Sequence, residues 1–430
     1  GAIVLPVNWR LSPDEVAFNL NDGEPVMLAV DEDFDDLVAG VRGRLHSLNR
    51  LVSLTAGGAF DPFDELMAQT PLSDYPVEAD SGLVIIHTAA VAGRPRGALV
   101  SHTNLLCASL QLGACFGLSP DDVHLNLLPL FHVAGLFMAV AAFHAGAMNV
   151  NMRQFDAPGA VNLIQAHQVS VLFDFSPILG SILDEQAKTG ADISSLKAVM
   201  GLDTDETIQR YQTVTDGCFY SMYGQTETSL LASAGRYDDR PGAAGLPIPM
   251  GVVELMDEAD RPVTVGQVGE IVLKGPLVFK GYWRLDRDNA HTFRNGWHHT
   301  GDLGRFDEDG YLWYAGRKPE KELIKPGGEN VYPAEVEKTI LDHPSVEQTV
   351  VFGVPDPKWK EGIKAVCVLK PGQLLTANEL IQFVGSRIAR YKKPQHVQFV
   401  ERLPLKNGAI DREAVKTRYG GEQQAPPDPQ

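Results

Sequence analysis

Four short segments of this 430-residue chain gather hydroxyls, carboxylates, guanidinium groups and glycines. The first, HTAAVAGRPRG (87–97), follows an apolar run. A tight turn of small residues can aim backbone N–H groups at an anion, and Arg96 adds positive charge beside it. A strand-to-helix turn with a glycine and a proline is also common scaffolding, and read alone the segment fits that description better. The second, YGQTE (223–227), sets an aromatic ring, a glycine, a hydroxyl and a carboxylate side by side. Those groups suit stacking on a base, admitting a ligand to the backbone, holding a phosphate and binding magnesium. A glycine-bearing strand end with a polar turn would look the same. The third, GWHHTGD (296–302), ends on Asp302, whose carboxylate can accept hydrogen bonds from both hydroxyls of a ribose. His298 and His299 invite zinc, yet no other Cys or His lies nearby at ligand spacing. The fourth, GRKPEKELIKPGGENVYPAEVE (316–337), joins the Arg317 guanidinium, a charged stretch and the adjacent Gly327 and Gly328.

The elements that must carry these segments are α/β in type. Short apolar runs alternate with helical patterns up to about residue 250. LVIIHT (83–88) reads as a buried strand, followed by a turn and a helix around 104–112, and 169–173 reads as a second strand. Such alternation predicts a mostly parallel sheet. From about residue 245 short strands at 254–257, 269–274 and 311–314 predict an antiparallel or barrel-like section. RKPEKELIK (317–325) reads as a surface linker. Beyond it, helix 333–341, strands 348–354 and 364–370, helix 377–387 and strand 396–400 make an α+β unit the size of a small domain. The expected organisation is a large mixed α/β N-terminal domain (1–317), a hinge (318–321), a small mobile C-terminal domain (322–419) and a disordered tail (420–430) with almost no apolar residue. The acidic run DEDFDD (31–36) reads as a solvated face.

Composition narrows the classes. A hydrophobic fraction of 44% and a charged fraction of 21% are ordinary for a globular protein. The net charge of −18 argues against nucleic acid as a partner, which calls for clustered Lys and Arg. It leaves room for an anionic substrate in a locally basic site. Four cysteines without a CxxC pair suggest free thiols in a reducing, cytoplasmic setting. No apolar run reaches the roughly 18 residues of a membrane span. The N-terminus lacks a basic-then-apolar leader, and GAIVLPVNWRLS reads as a chain that starts inside a domain.

In this order and spacing, the four segments resemble the AMP-forming acyl-CoA synthetases, members of the adenylate-forming superfamily with luciferases and peptide-synthetase adenylation domains. The likeness runs from residue 1 to about 419 and takes in LLPLFHVAGL (127–136), RPGAAGLPIP (240–249), GEIVLKGPLVFKGYW (269–283) and RYKKP (390–394). It implies a carboxylate–CoA ligase that uses ATP and Mg²⁺, forms an acyl adenylate, then rotates its small domain so that CoA displaces AMP. By the resemblance, Thr88, Gly93 and Arg96 belong to the loop that holds the ATP phosphates, and Gly201 lies on the adenine side. Tyr223 stacks near adenine beside Gly224, Thr226 contacts phosphate and Glu227 helps bind Mg²⁺. Asp302 takes the ribose hydroxyls, and Arg317 reaches ribose or phosphate. His132 stands beside the acyl pocket and thiol entrance, unless it is simply a packed histidine. Gly327 and Gly328 admit the pantetheine arm after rotation.

Three departures from the family's usual pattern stand out. The phosphate loop, usually like TSGTTG, here reads TAAVAG, so Ala89, Ala90, Val91 and Ala92 bring no side-chain donor. The adenine segment, usually like GGAPL, reads MGLDT (200–204) and puts Asp203 toward nucleotide or acyl group. The C-terminal loop, usually like SGKIDR, reads NGAIDR, so Ala409 replaces the lysine that bridges carboxylate and α-phosphate. Lys406 in the same loop is an imperfect substitute. The expected enzyme is therefore impaired in adenylation. Two rivals remain: a non-catalytic nucleotide or acyl binder, and an adenylation enzyme that loads a carrier protein. LFMAVAAF (136–143) and FDFSP (173–177) point to an apolar carboxylic acid.

Overall fold

The computed structural model describes residues 1–69, 76–91, 94–318, 322–356, 359–406 and 409–421. Its centre is a seven-stranded sheet in the order Leu246–Pro247, Ser233–Arg236, Cys218–Tyr223, Ala198–Leu202, Val171–Phe175, Val123–Asn126, Met148–Asn151. The five strands from Cys218–Tyr223 to Met148–Asn151 run parallel, as the alternating pattern predicts. Successive strand side chains point to opposite faces. Leu172, Val199 and Phe219 therefore enter one core, with Ile182 and Tyr211 from the helices over that face. Phe173, Met200 and Met222 enter the other, with Leu112 and Phe137 from helices His102–Phe116 and Val133–His144. Sandwiching the sheet this way removes both apolar faces from water, which is why its strands read as unbroken apolar runs.

The segment 83–97 departs from expectation. Strand Gly82–Val91 does not lead into a helix but folds back antiparallel on Arg94–Ser101, with Thr88 opposite Arg96. Gly281–Tyr282 pairs with the far side of Arg94–Ser101. The proline of the expected strand-to-helix turn, Pro95, instead lies inside the second strand of this pair. Ser101 and Asn104 then form a capping box that starts helix His102–Phe116.

The antiparallel section expected after about residue 245 is a four-stranded sheet: Val252–Met256, Gly269–Lys274, His298–Phe306 and Leu312–Arg317. Its outer pair sets Asp302 opposite Arg317. The C-terminal unit has its own core of Val336, Ile340, Val351, Ile363, Leu380 and Val384 between helices Pro333–Leu341 and Ala377–Gly385 and strands Val346–Asp356 and Lys360–Leu369. Ile324 bridges Val331 and is 1% exposed, so the end of the linker read as surface is built into this core. Of the expected hinge, Lys318 is described and 319–321 lie outside the described residues.

The two parts meet through charge. Helix Pro13–Gly23 presents Glu15, whose Oε1 lies 2.5 Å from Lys392 Nζ and whose Oε2 accepts from Ala389 N at 2.9 Å. Lys392, 4% exposed, also donates to Glu335 at 2.7 Å.

Candidate active site

Between the two parts lies a cavity of about 1430 Å³. Its wall includes Thr88, Arg96, His132, Gly201, Tyr223, Gly224, Thr226, Glu227, Asp302 and Arg317 from the large part, and Lys325, Gly327, Glu329 and Tyr332 from the small part. The structure thus brings most of the sequence candidates to one space. Gly93 lies outside the described residues. Gly328 sits in the turn Pro326–Gly328 that edges the cavity at Gly327. Lys406 and Ala409 face each other across the small hairpin Leu405–Lys406/Ala409–Ile410. Lys406 is exposed and is not among the residues lining the cavity.

Asp302, 7% exposed, is held by three donors. Its Oδ2 accepts from the Tyr223 hydroxyl at 2.8 Å and from Gln225 Nε2 at 3.1 Å, and its Oδ1 from Arg317 Nε at 3.1 Å. Burial and the adjacent Asp302 charge push the Tyr223 phenol well above its ordinary pKa, so it stays a donor. The Tyr223 ring lies against that of Tyr314, centroids 6.1 Å apart at 28°. Tyr314 is 46% exposed and offers the outer aromatic face.

Behind this corner sits Glu270, which the sequence reading did not single out. It accepts from Gly301 N at 2.9 Å, His299 Nδ1 at 3.0 Å, Lys318 Nζ at 2.7 Å and Arg294 at 2.9 Å. Burial alone would raise its pKa, but hydrogen bonds from His299 and Lys318 outweigh that and hold the carboxyl well below the usual range. Glu270 thereby fixes the backbone next to Asp302 and holds Lys318, the first residue of the expected hinge.

Glu227 forms a second corner. It is 5% exposed and accepts from the Tyr282 hydroxyl at 2.7 Å. The Arg96 guanidinium lies 3.9 Å from the Tyr282 ring centroid and 3.3 Å from Asp288 Oδ1. A desolvated cation over an aromatic face is attracted by the ring quadrupole. Arg96 Nε is buried and has no hydrogen-bond partner among the described residues. Thr88 Oγ1 donates to the Arg96 carbonyl at 3.3 Å, closing this corner across the hairpin.

Packing by itself requires glycine at 201 and 224. A Cβ on Gly201 would collide with the Asp174 carbonyl, and one on Gly224 with the Leu230 carbonyl. Gly327 has φ +58°, and a Cβ there would stand 2.9 Å from the Trp359 ring.

His132 precedes helix Val133–His144. Burial in the cavity wall and then the Arg10 charge bring its pKa down to about 4, so the ring is neutral near pH 7. Its Nε2 is 3.5 Å from Glu329, which pairs with Arg10. Lys325 has its pKa brought down to about 8, first by burial and then by the Arg317 charge, against Asp302 and Glu361.

Comparison with known proteins places this geometry. Residues 1–283 match the family of AMP-binding enzymes, and residues 335–408 match the AMP-binding enzyme C-terminal domain. The chain is 32% identical over 428 residues to a feruloyl-CoA synthase of Amycolatopsis, covering 98% of this chain and 84% of that one. Among solved structures, a candidate long-chain-fatty-acid CoA ligase of Rhodopseudomonas palustris is 48% identical, with TM-score 0.70 over 74% of this chain and 80% of that one. A double mutant of o-succinylbenzoate CoA synthetase from Bacillus subtilis, bound to a product analogue, is 26% identical, with TM-score 0.84 over 97% of this chain and 84% of that one. The two family matches, in chain order and on either side of one cavity, make this chain a member of the adenylate-forming AMP-binding enzymes, among their acid–thiol ligases.

Proposed function

We propose that the protein joins an apolar carboxylic acid to CoA in two half-reactions and that its adenylation step is slow. In the first, a carboxylate oxygen attacks the α-phosphorus of ATP, an O–P bond forms, and pyrophosphate leaves. In the second, the CoA sulfur attacks the acyl carbonyl, a C–S bond forms, and AMP leaves with the bonding pair. The observation that carries this reading is the shared cavity: a buried, triply held Asp302 at one side and His132 with the Gly327 turn at another.

Asp302 fits the ribose hydroxyls as an oriented acceptor, and Arg317 and Arg96 fit the phosphates. Mg²⁺ suits the oxygens of Glu227 and Thr226. Tyr282 engages one Glu227 oxygen, and the described residues give the other no hydrogen bond. No group of three or more His, Cys, Asp or Glu among the described residues forms an all-protein cage, in keeping with an ion held by one carboxylate and substrate phosphates. When bound, such an ion neutralises phosphate charge. The chain's own residues position the reactants and stabilise charge, the larger share of catalysis in such reactions.

The orientation seen here suits the second half-reaction. The Gly327 turn lines the cavity, while Lys406 is exposed and is not among its lining residues. The TM-score of 0.84 to a chain bound to a product analogue supports that assignment. Adenylation would require the small domain to turn about residues 318–321, bringing position 409 to the site. There Ala409 offers no charge between two approaching anions. His132, neutral near pH 7, lines the side of the cavity proposed for the acyl group and the thiol. All four cysteines are free, which supports a reducing compartment; no described helix is long and apolar enough to cross a membrane.

The test is a panel of short, medium-chain, aromatic and alicyclic acids, with pyrophosphate release and thioester formation measured separately. A ligase yields both with at least one acid and only the second from a supplied acyl adenylate at full speed. Nucleotide binding with neither product, from acids or adenylates, would replace this reading with a non-catalytic binder.

A further inference from the structure

The segment that the sequence reading assigns to the phosphates is short of side-chain hydroxyls: residues 89–92 are Ala, Ala, Val and Ala. The phenols of Tyr223 and Tyr282 are already committed to Asp302 and Glu227. Tyr332 is different. It belongs to the small domain, immediately before helix Pro333–Leu341, with its backbone held in extended conformation at φ −90° and ψ 128°. Its side chain lines the same cavity as Glu227, Arg96 and Arg317. The described residues give its hydroxyl no hydrogen-bond partner. Burial first, then the Glu227 charge, pushes its pKa up to about 12, with Arg317 and Arg96 opposing. The phenol therefore keeps its proton at any working pH and can act only as a neutral donor or acceptor. Its interaction with Glu227, Arg317 and Arg96 together places it among the groups assigned above to metal and phosphate.

We propose that Tyr332 is a phosphate-binding residue delivered by the small domain, whose hydroxyl donates a hydrogen bond to the α-phosphate of the acyl adenylate and then of AMP during thioester formation. The proposal rests on the ligase reading for the identity of the anion. Its physical content is that one donor missing from the loop of the large domain is supplied from the facing wall in this orientation alone. A phenol suits the task, because it adds no charge beside Arg96, Arg317 and Lys325 while still stabilising the oxygen on which negative charge gathers as the C–O bond breaks.

The test is calorimetric titration of wild type and Tyr332→Phe with AMP and with adenosine. A hydrogen bond to a charged acceptor predicts a loss of about 10- to 100-fold in AMP affinity, with adenosine affinity unchanged. Equal losses for both ligands would make Tyr332 a structural residue, and unchanged AMP affinity would remove it from the phosphate; either overturns the proposal. Single turnovers add a second readout. Tyr332→Phe should slow thioester formation from a supplied acyl adenylate and leave adenylation as in wild type, whereas equal slowing of both steps would contradict a role tied to this orientation. If wild type forms no thioester from any acid or supplied adenylate but Tyr332→Phe still loses AMP selectivity, the ligase reading fails and the contact of Tyr332 with the AMP phosphate stands. If wild type forms acyl-CoA and Tyr332→Phe keeps its AMP selectivity, the reverse holds.

Discussion

Asp302 carries the heaviest load of any single side chain in the cavity. Tyr223, Gln225 and Arg317 all point donors at it, so its carboxylate is oriented before any ligand arrives. Asp302→Asn keeps the shape and removes the charge, and it should weaken AMP binding by about 1.5–3 kcal/mol, the worth of a charge-assisted hydrogen bond. Asp203→Asn should weaken it less, since Asp203 Oδ1 is engaged locally with Thr204 N at 2.7 Å. Calorimetry on both variants decides, and a larger loss at Asp203 would remove Asp302 from the ribose. Lys325 gives a pH signature. Its pKa is brought down to about 8 in the folded protein, against an ordinary 10.5. The unfolded chain binds the extra proton between those values, so the stability lost to this lysine is lost in full below about pH 8 and regained as pH rises toward 10.5. A bound phosphate would raise the Lys325 pKa again. AMP binding at pH 9 should therefore take up protons, read as a dependence of the calorimetric heat on buffer ionisation enthalpy. Lys325→Met should abolish that uptake, and an unchanged uptake in the variant would place the proton elsewhere. Asp302, Glu227 and Arg317 were legible in the sequence because each sits inside a short motif whose neighbours suggest its work. Lys325, Glu270, Tyr282 and Tyr332 were not, because their partners lie far away in the chain: Glu270 meets Lys318 and Arg294, and Tyr282 meets Glu227 and Arg96.

Among the elements, helix Pro13–Gly23 and the RYKKP turn decide how the two parts sit together. Lys392 stands between Glu15 and Glu335, one buried cation for two carboxylates. Removing one member of such a group leaves uncompensated buried charge, at a cost of about 3–5 kcal/mol if nothing moves. Rotation offers a way out, since turning the small domain away returns Glu15 to water. Lys392→Met should therefore populate other orientations and slow thioester formation more than adenylation. Distance measurements between labels on the two domains, with AMP bound, would detect the shift; unchanged distances with both half-reactions intact would show that the cluster does not select orientation. The strands of the seven-stranded sheet were readable because an element buried on both faces is apolar throughout. The hairpin of Gly82–Val91 with Arg94–Ser101 was not, because GRPRG carries turn signals and the third strand that stabilises the pairing, Gly281–Tyr282, comes some 180 residues later. Gly201 and Gly224, singled out in the sequence as ligand-side positions, line the cavity, and packing against neighbouring carbonyls excludes a side chain at both.

At the scale of the whole molecule, one cavity must serve two reactions, and the proposed ligase divides that work between two faces of the small domain. In the orientation described here Gly327, Lys325 and Tyr332 line the cavity, while Lys406 is exposed and does not. An ammonium at position 409 would sit between the carboxylate and the α-phosphate only after rotation. Loss of one such preorganised donor costs about 2.7–4 kcal/mol, or roughly 10²–10³ in rate. The most direct measurement is single-turnover kinetics of each half-reaction in wild type and Ala409→Lys, using an acid found active in the panel and its synthetic adenylate. The expected result is fast thioester formation from the supplied adenylate in both proteins, with adenylation slow in wild type and about 10²–10³ faster in Ala409→Lys. Adenylation unchanged by Ala409→Lys but abolished by Lys406→Ala would move the working lysine to 406, and failure of both proteins to make thioester from any adenylate would contradict the ligase itself.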